Sequence, residues 1–316
     1  MVMRIIGVLF FGLFVSGPAI GQDNGLSAVA VELLVLGTVQ DGGAPHMGCW
    51  KSCCTPLYEN PDPARKVVSL GLLDIPESRM YLLEATPDLP SQIGRLRREA
   101  PFEASKAPDG IFLTHAHIGH YTGLMFLGRE AMNAREVPVY GLPRMLEFLG
   151  GNGPWDQLVR LGNIQLKPAS ETSPVRLSDH LEILPVLVPH RDEYSETAGY
   201  MIKGPSRTAI FIPDIDKWGQ WEFSLEKILS EVDLAFLDAT FYDAAEIGYR
   251  DMSEIPHPFV VESMSLMDSL PVSLRNKVYF IHMNHTNPLL NPNSPESKTV
   301  EGAGYHVARI GDRFKL

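Results

Sequence analysis

The chain has 316 residues, 45% of them hydrophobic and 21% charged, which are ordinary globular values with ample length to bury a full core. Its formal net charge of −11 excludes a general affinity for nucleic acid or anionic membranes, since both require a basic face.

The first segment differs from the rest. Arg4 precedes an almost purely apolar run over residues 5–15. Ser16, Gly17 and Pro18 break that run, and Ala19-Ile20-Gly21 places small residues before Gln22. This three-part pattern predicts a secretory signal peptide over residues 1–21, a mature domain over 22–316, and a periplasmic or secreted product. The run is short of the roughly 20 apolar residues that span a bilayer, so no stable membrane association is expected after cleavage.

Beyond the leader, aliphatic runs bounded by turn residues predict strands over 31–37, 67–73, 80–84 and 110–114. The first ends in the turn Asp41-Gly42-Gly43. Helical spacing of apolar residues covers 89–99 and 121–131. A strand over 138–140 and a helix over 143–149 follow. Strands are then expected over 164–166, 181–188, 198–202 and 209–212, a helix over 224–230 and a strand over 234–237. A helix over 259–270 and strands over 277–282 and 305–310 complete the chain. No repeat or long linker divides it, so one α/β domain of two packed sheets between helices is the simplest account.

Ten histidines are present, and their placement is informative. His115, His117 and His120 lie where a strand gives way to a helix. Residues i and i+2 of an extended segment share a face, so His115 and His117 can converge on one ion, and the turn brings His120 round to join them. Imidazoles suit zinc and also iron. His190, Asp214, Asp238 and His282 each close a further apolar strand. Strand ends are where α/β folds bind ligands, and this recurrence points to one shared site.

The segment His115-Ala116-His117-Ile118-Gly119-His120, with a later His, Asp and His, resembles the His-x-His-x-Asp-His motif of the metallo-β-lactamase superfamily. The stretches Leu36 to Pro45, Val188 to Glu193 and Phe280 to Pro288 are similar to its pyrroloquinoline-quinone biosynthesis protein B branch. The resemblance implies a single-domain, four-layer αββα sandwich. It places His115, His117 and His190 on one metal, and His120 and His282 on a second, with Asp214 bridging. It implies zinc, one or two ions at the site, with iron or manganese as alternatives. It also implies hydrolysis of a small ester, amide, lactone or phosphodiester by a metal-activated water. Gly119 stands where the motif has Asp. A weakened or rearranged second site is therefore expected, recruiting Asp238 or a water. Asp214 and His257 are the expected catalytic residues, with His257 as general acid by likeness to phosphodiesterases and tRNA 3′-processing enzymes.

Cys49, Cys53 and Cys54 form a tight odd cluster. Relatives that resemble this chain join three such cysteines to a His at the position of His285, which implies a structural zinc site. A disulfide from Cys49 to Cys53 or Cys54 is the competing outcome, and adjacent cysteines are expected to diverge. Arg191, Glu193 and Tyr194 are candidate substrate contacts, and Trp218 and Trp221 are either an aromatic wall or ordinary packing residues, the commoner role for such side chains. The expected partner is a small molecule, not nucleic acid. Two other functions compete with hydrolysis: a metal-dependent oxidation step in cofactor or peptide maturation, and non-catalytic binding.

Overall fold

The computed structural model describes residues 30–248 and 251–316. The leader expected over 1–21 lies outside them. In chain order the strands are β1 Val31–Gly37, β2 Ser69–Asp74, β3 Arg79–Leu83, β4 Gly110–Phe112, β5 Val137–Gly141, β6 Ile164–Pro168, β7 Val175–Arg176, β8 Glu182–Leu187, β9 Ala198–Lys203, β10 Thr208–Ile212, β11 Leu234–Asp238, β12 Val278–Ile281, β13 His306–Val307 and β14 Arg313–Lys315. The helices are α1 Thr55–Glu59, α2 Leu89–Glu99, α3 Ile118–Tyr121, α4 Pro143–Gly151, α5 Trp155–Arg160, α6 Leu225–Glu231, α7 Ala244–Ile247, α8 Val260–Met267, α9 Val272–Arg275 and α10 Pro295–Gly302. Among the described residues, no helix is long and apolar enough to cross a membrane.

Two seven-stranded mixed sheets form, in the orders β14-β1-β2-β3-β4-β5-β6 and β13-β12-β11-β10-β9-β8-β7. Strand alternation decides what each face meets. Leu33 and Val35 of β1 and Leu70 and Leu72 of β2 point between the sheets, against Tyr200, Phe211 and Phe236. Leu34 and Leu36 point outward, against Ile93 and Leu96 of α2. On the other sheet Ile210, Ile212 and Leu237 point outward against Ile228 and Leu229 of α6 and Val260 of α8. Strands covered on both faces read as continuous apolar runs rather than alternating ones, as 31–37 does. The result is the expected αββα sandwich, each buried Leu or Phe contributing about 1.5–3 kcal/mol.

The sheet edges and helix starts follow local chemistry. Pro90 enters α2 in its first turn and Arg97 and Arg98 complement the dipole at its end. Ser224 caps α6 by accepting from the Lys227 backbone N–H.

Two expectations change. The helix over 121–131 is replaced by the short α3 and a 3-10 turn over Thr122–Leu127. Gly123 explains the change. A Cβ there would lie 2.0 Å from the Thr86 carbonyl oxygen, and the Gly123 N–H donates to the Ala85 carbonyl at 2.8 Å. Tertiary contact thus overrides helical spacing. The last strand is only β13, after which the chain crosses to the other sheet and pairs as β14 with β1. The small elements α1, α5, α7, α9, α10 and β7 are too short to show a period.

Candidate metal centre

β10, β11 and β12 are adjacent and parallel. Their carboxyl ends therefore open at one edge, and they deliver Asp214, Asp238 and His282 side by side. Facing them, the segment after β4 brings His115, His117 and His120, and the loop after β8 brings His190. Two contacts register the sheets here: the Ala198 N–H donates to the Thr114 carbonyl at 3.0 Å, and the Tyr200 hydroxyl donates to the Leu113 carbonyl.

Asp214 lies at the centre. Its Oδ2 is 3.4 Å from His115 Nε2, 3.2 Å from His190 Nε2, 4.0 Å from His117 Nδ1 and 3.8 Å from His120 Nε2. Two donor groups result, His115–His117–His190–Asp214 and His120–Asp214–His282, each with its atoms within 4.8 Å of one another. Asp214 belongs to both, as the bridging expectation requires.

These donors fit a divalent metal on a specific observation. His120 Nε2 and His282 Nε2 are buried without a hydrogen-bond partner. Orphaned polar atoms at such depth cost about 1–3 kcal/mol each unless something binds them. The opposite nitrogen of each ring is held from outside: His115 Nδ1 by Thr114 Oγ1 at 2.9 Å, His190 Nδ1 by Asp216 at 3.0 Å, His282 Nδ1 by Thr240 Oγ1 at 2.9 Å, and His117 Nε2 by Glu193 at 3.1 Å. His120 Nδ1 faces Glu84 at 3.3 Å. Such outer partners fix ring orientation and the tautomer that presents a lone pair inward.

Two of these positions have unusual backbone. His282 and Glu84 adopt φ of 66° and 79°, the left-handed region that non-glycine residues rarely occupy. Both sit one residue past a strand, where the chain must turn sharply to aim the side chain into the site.

Charge is tuned accordingly. Burial, with His120 beside it, holds the His115 imidazole well below its ordinary value, so it stays neutral and available. Burial also opposes charge on His120, but Glu84, Asp41 and Asp214 outweigh it and raise the ring to about 9. The carboxylates that favour a proton there equally favour a metal cation. Asp214 is raised by burial, yet His257 and His190 bring it well below the carboxylate range. His257 is pushed down by burial, but Asp214 and Asp238 together hold it well above the ordinary imidazole range.

His257 Nδ1 meets Asp214 Oδ1 at 3.1 Å and Asp238 Oδ2 at 2.9 Å. Asp238 also accepts from Thr240 N–H and Oγ1 at 2.7 Å and from Ile215 N–H at 3.2 Å. It is thereby committed to His257 and the strand-end turn. The expectation that Asp238 completes the second site is corrected: it falls in a third group, with Asp214 and His257.

The rim is more open. His117 and His257 are 15% and 11% exposed, whereas His120 and His282 are fully buried. The centre is therefore open to solvent on the side of His117 and His257. Arg191 and Glu193 lie there half-exposed, 3.9 Å apart, and Tyr194 tilts against Phe148 with ring centres 5.5 Å apart. The aromatic wall is corrected. Trp218 and Trp221 are buried in the outer helix layer, their indole N–H groups donating to Ser263 Oγ and the Leu187 carbonyl, both at 2.8 Å.

Sequence reasoning missed Glu84, Thr114, Asp216 and Thr240. Glu84 carried a usable signal, an isolated acid directly after the apolar run 80–83. The others look like ordinary turn residues.

The cysteine cluster sits after β1. Cys49, Cys53, Cys54 and His285 form a four-donor group. The thiols are free, with Sγ–Sγ distances of 3.8 Å for Cys49–Cys53 and 3.9 Å for Cys53–Cys54. Neither is a bond; both match the roughly 3.8 Å edge of a tetrahedron with Zn–S near 2.3 Å. Cys53 and Cys54 converge rather than diverge because they lie in a turn, with Cys54 N–H donating to the Lys51 carbonyl at 3.0 Å. Burial, with Cys49 and Cys54 crowding it, pushes the Cys53 thiol up to about 12. Burial holds His285 down at about 4, neutral and ready to ligate.

Comparison with known proteins agrees with this architecture. The family model for the beta-lactamase superfamily domain matches residues 79–283. Coenzyme PQQ synthesis protein B of Gluconacetobacter diazotrophicus is 27% identical, over 90% of this chain and 99% of that protein. The crystal structure of Zn(2+)-bound PqqB from Methylobacterium extorquens superposes with a TM-score of 0.73 at 20% identity, covering 90% of this chain and all of that one. A diphosphatase of the PhnP family superposes with a TM-score of 0.61 at 23% identity, over 91% of this chain and 97% of that one.

Proposed function

The chain belongs to the metallo-β-lactamase superfamily, and on that premise we propose that it is an exported metallohydrolase cleaving a small ester, amide, lactone or phosphodiester. The observation that carries the reading is the shared carboxylate of Asp214, which joins two histidine groups and pairs with His257.

His115, His117, His190 and Asp214 would hold one divalent ion and His120, Asp214 and His282 a second, and such ions, when bound, would supply an acidified water and positive charge for a developing oxyanion. The protein's own groups do the rest. Asp214 and Asp238 grip His257 through Nδ1 and keep it protonated. Nε2 is then the nitrogen left to pass a proton to the leaving group. Asp216, Thr114, Thr240 and Glu193 hold the ligating rings in register. Arg191 offers positive charge at the rim for an anionic substrate. Export rests on the leader pattern of residues 1–21. The cysteine cluster is assigned a structural zinc.

Elemental analysis of the purified mature protein, coupled to a panel of chromogenic esters, lactones and phosphodiesters, tests the proposal. Zinc or manganese with turnover abolished in His190→Ala supports it. Tightly bound iron with no turnover on any substrate would overturn it. That outcome favours the second reading, an oxidation step in cofactor maturation. Its supporting observation is the 27% identity, across nine-tenths of the chain, to a coenzyme PQQ synthesis protein.

A further inference from the structure

Gly119 removes the motif carboxylate, and the structure shows what fills its place. A Cβ built on Gly119 would lie 1.9 Å from Asp41 Cβ, 2.3 Å from Asp41 Cα and 2.9 Å from the Asp41 carbonyl oxygen. No side chain fits at position 119 while Asp41 is there. The converse is more telling. Asp41 launches its own side chain from almost the point where an aspartate at 119 would launch one.

The turn that carries Asp41 is fixed against the second donor group from both sides. Gln40 N–H donates to the Met283 carbonyl and Met283 N–H to the Thr38 carbonyl, both at 2.8 Å. Val39 forms a parallel bridge with Met283. These bonds tie the turn to the residue directly after His282, while the Gly119 contact ties it to the residue directly before His120. Gly42 and Gly43 make the approach possible. A Cβ on Gly42 would strike the His46 ring at 2.7 Å, and Gly43 has φ of 76°. Asp41 thus sits on a turn anchored to the neighbours of His120 and His282, the two imidazoles whose Nε2 atoms have no partner.

We propose that Asp41 is the anionic ligand of the second metal, a carboxylate moved from the histidine motif to the Gly-rich turn after β1. The inference rests on the two-metal reading above. It restores the donor set to two imidazoles, the Asp214 bridge and one further carboxylate, with the charge that a motif aspartate would have given. The Asp41 carboxylate stands outside the His120–Asp214–His282 group, so ligation takes a rotation about its Cα–Cβ bond, which a half-buried loop residue permits.

The test uses full mature chains of wild type, Asp41→Asn, and the exchange Asp41→Gly with Gly119→Asp. Each is stripped with chelator and titrated with zinc alone by calorimetry. Bound metal is counted after dialysis, Co(II) spectra are recorded, and folding is monitored by circular dichroism. Asp41→Asn is expected to weaken one zinc step by about 100-fold or more, at the upper edge of the ~10–100-fold typical for losing an outer partner, and to change the Co(II) spectrum. The exchange variant is expected to recover that step, because it frees the space and returns the carboxylate. Unchanged zinc binding and spectrum in Asp41→Asn would overturn the proposal, as would a folded exchange variant that recovers nothing. Failure of the hydrolase reading is separable: it shows as no turnover in wild type, whatever Asp41→Asn does to the metal count.

Discussion

The histidine centre joins two donor groups through one shared carboxylate and the cysteine cluster is a single four-donor group, and they are built in different ways. The centre draws its ligands from the ends of β4, β8, β10 and β12, across both sheets. Nearly all are buried, and its imidazoles are held from behind by Thr114, Asp216, Thr240, Glu193 or Glu84. The cluster takes three thiols from one six-residue loop and a single His285 from outside it, with Cys49 and Cys53 part-exposed. The first arrangement is a product of the fold. The second ties a loop that has little core of its own. Loss of a ligand should therefore cost chemistry in the first and local stability in the second.

Asp214→Asn should have the largest effect. It removes the shared charge from both donor groups, so metal content should fall at both positions and turnover by more than about 10³-fold, since the chemistry depends on the ion. Elemental analysis and initial rates check this. Retention of both metals would erase the distinction drawn here.

His257→Ala should lower turnover by about 10²–10⁴-fold, the usual worth of a general acid, with metal content intact. Rates on substrates with good and poor leaving groups sharpen the test, because only the poor ones need the proton. If metal is lost instead, His257 is a ligand and the third group of Asp214, Asp238 and His257 is itself a binding site.

Cys49→Ser should leave the active-site metals in place and release the cluster's ion. The expected readout is a melting temperature lower by about 5 °C, corresponding to roughly 2 kcal/mol in a chain of this size, with turnover of the folded fraction preserved. Intact mass after thiol alkylation decides between zinc and a disulfide. Three alkylated cysteines after chelation support the metal, and a quantitative disulfide excludes it.

The same contrast explains what the amino-acid sequence made legible. Ligands at strand ends were readable because each follows an apolar run and is itself a His or Asp: His190, Asp214 and His282 announce themselves. The sandwich followed from the buried strands, whose continuous aliphatic runs encode two covered faces. Outer partners were not readable, since Thr114, Thr240 and Asp216 are common turn residues whose role exists only once β10, β11 and β12 lie side by side. The short segment after His120 misled because a helical period says nothing about Gly123 pressing on the Thr86 carbonyl. The aromatic pair Trp218 and Trp221 takes the packing role, the commoner of its two readings, because burial and not proximity to Asp214 fixes it. The adjacent cysteines were expected to diverge as neighbouring side chains usually do, whereas a turn brings them together.

One acid links the two regions, and it gives the smallest expected effect. His282 and His285 are three residues apart, one in each donor group. Glu246 of α7 holds the residue directly after His285: Thr286 Oγ1 donates to one oxygen and the Tyr242 N–H to the other at 2.7 Å. Burial pushes its carboxyl up to about 7, only partly offset by these donors. The folded chain therefore holds a proton that the unfolded chain has released above about 4.5. Its contribution is most favourable below that value and is lost progressively as pH rises to about 7, after which it is constant. Glu246→Gln keeps an acceptor and a donor but cannot ionise. The variant should gain on wild type as pH climbs from 5 to 8, by about 2 kcal/mol once partial exposure is allowed for. Urea melts of both proteins across that range measure the difference. A gap that does not change with pH would mean that Glu246 ionises freely in the folded chain, and that the residue after His285 is held by its hydrogen bonds alone.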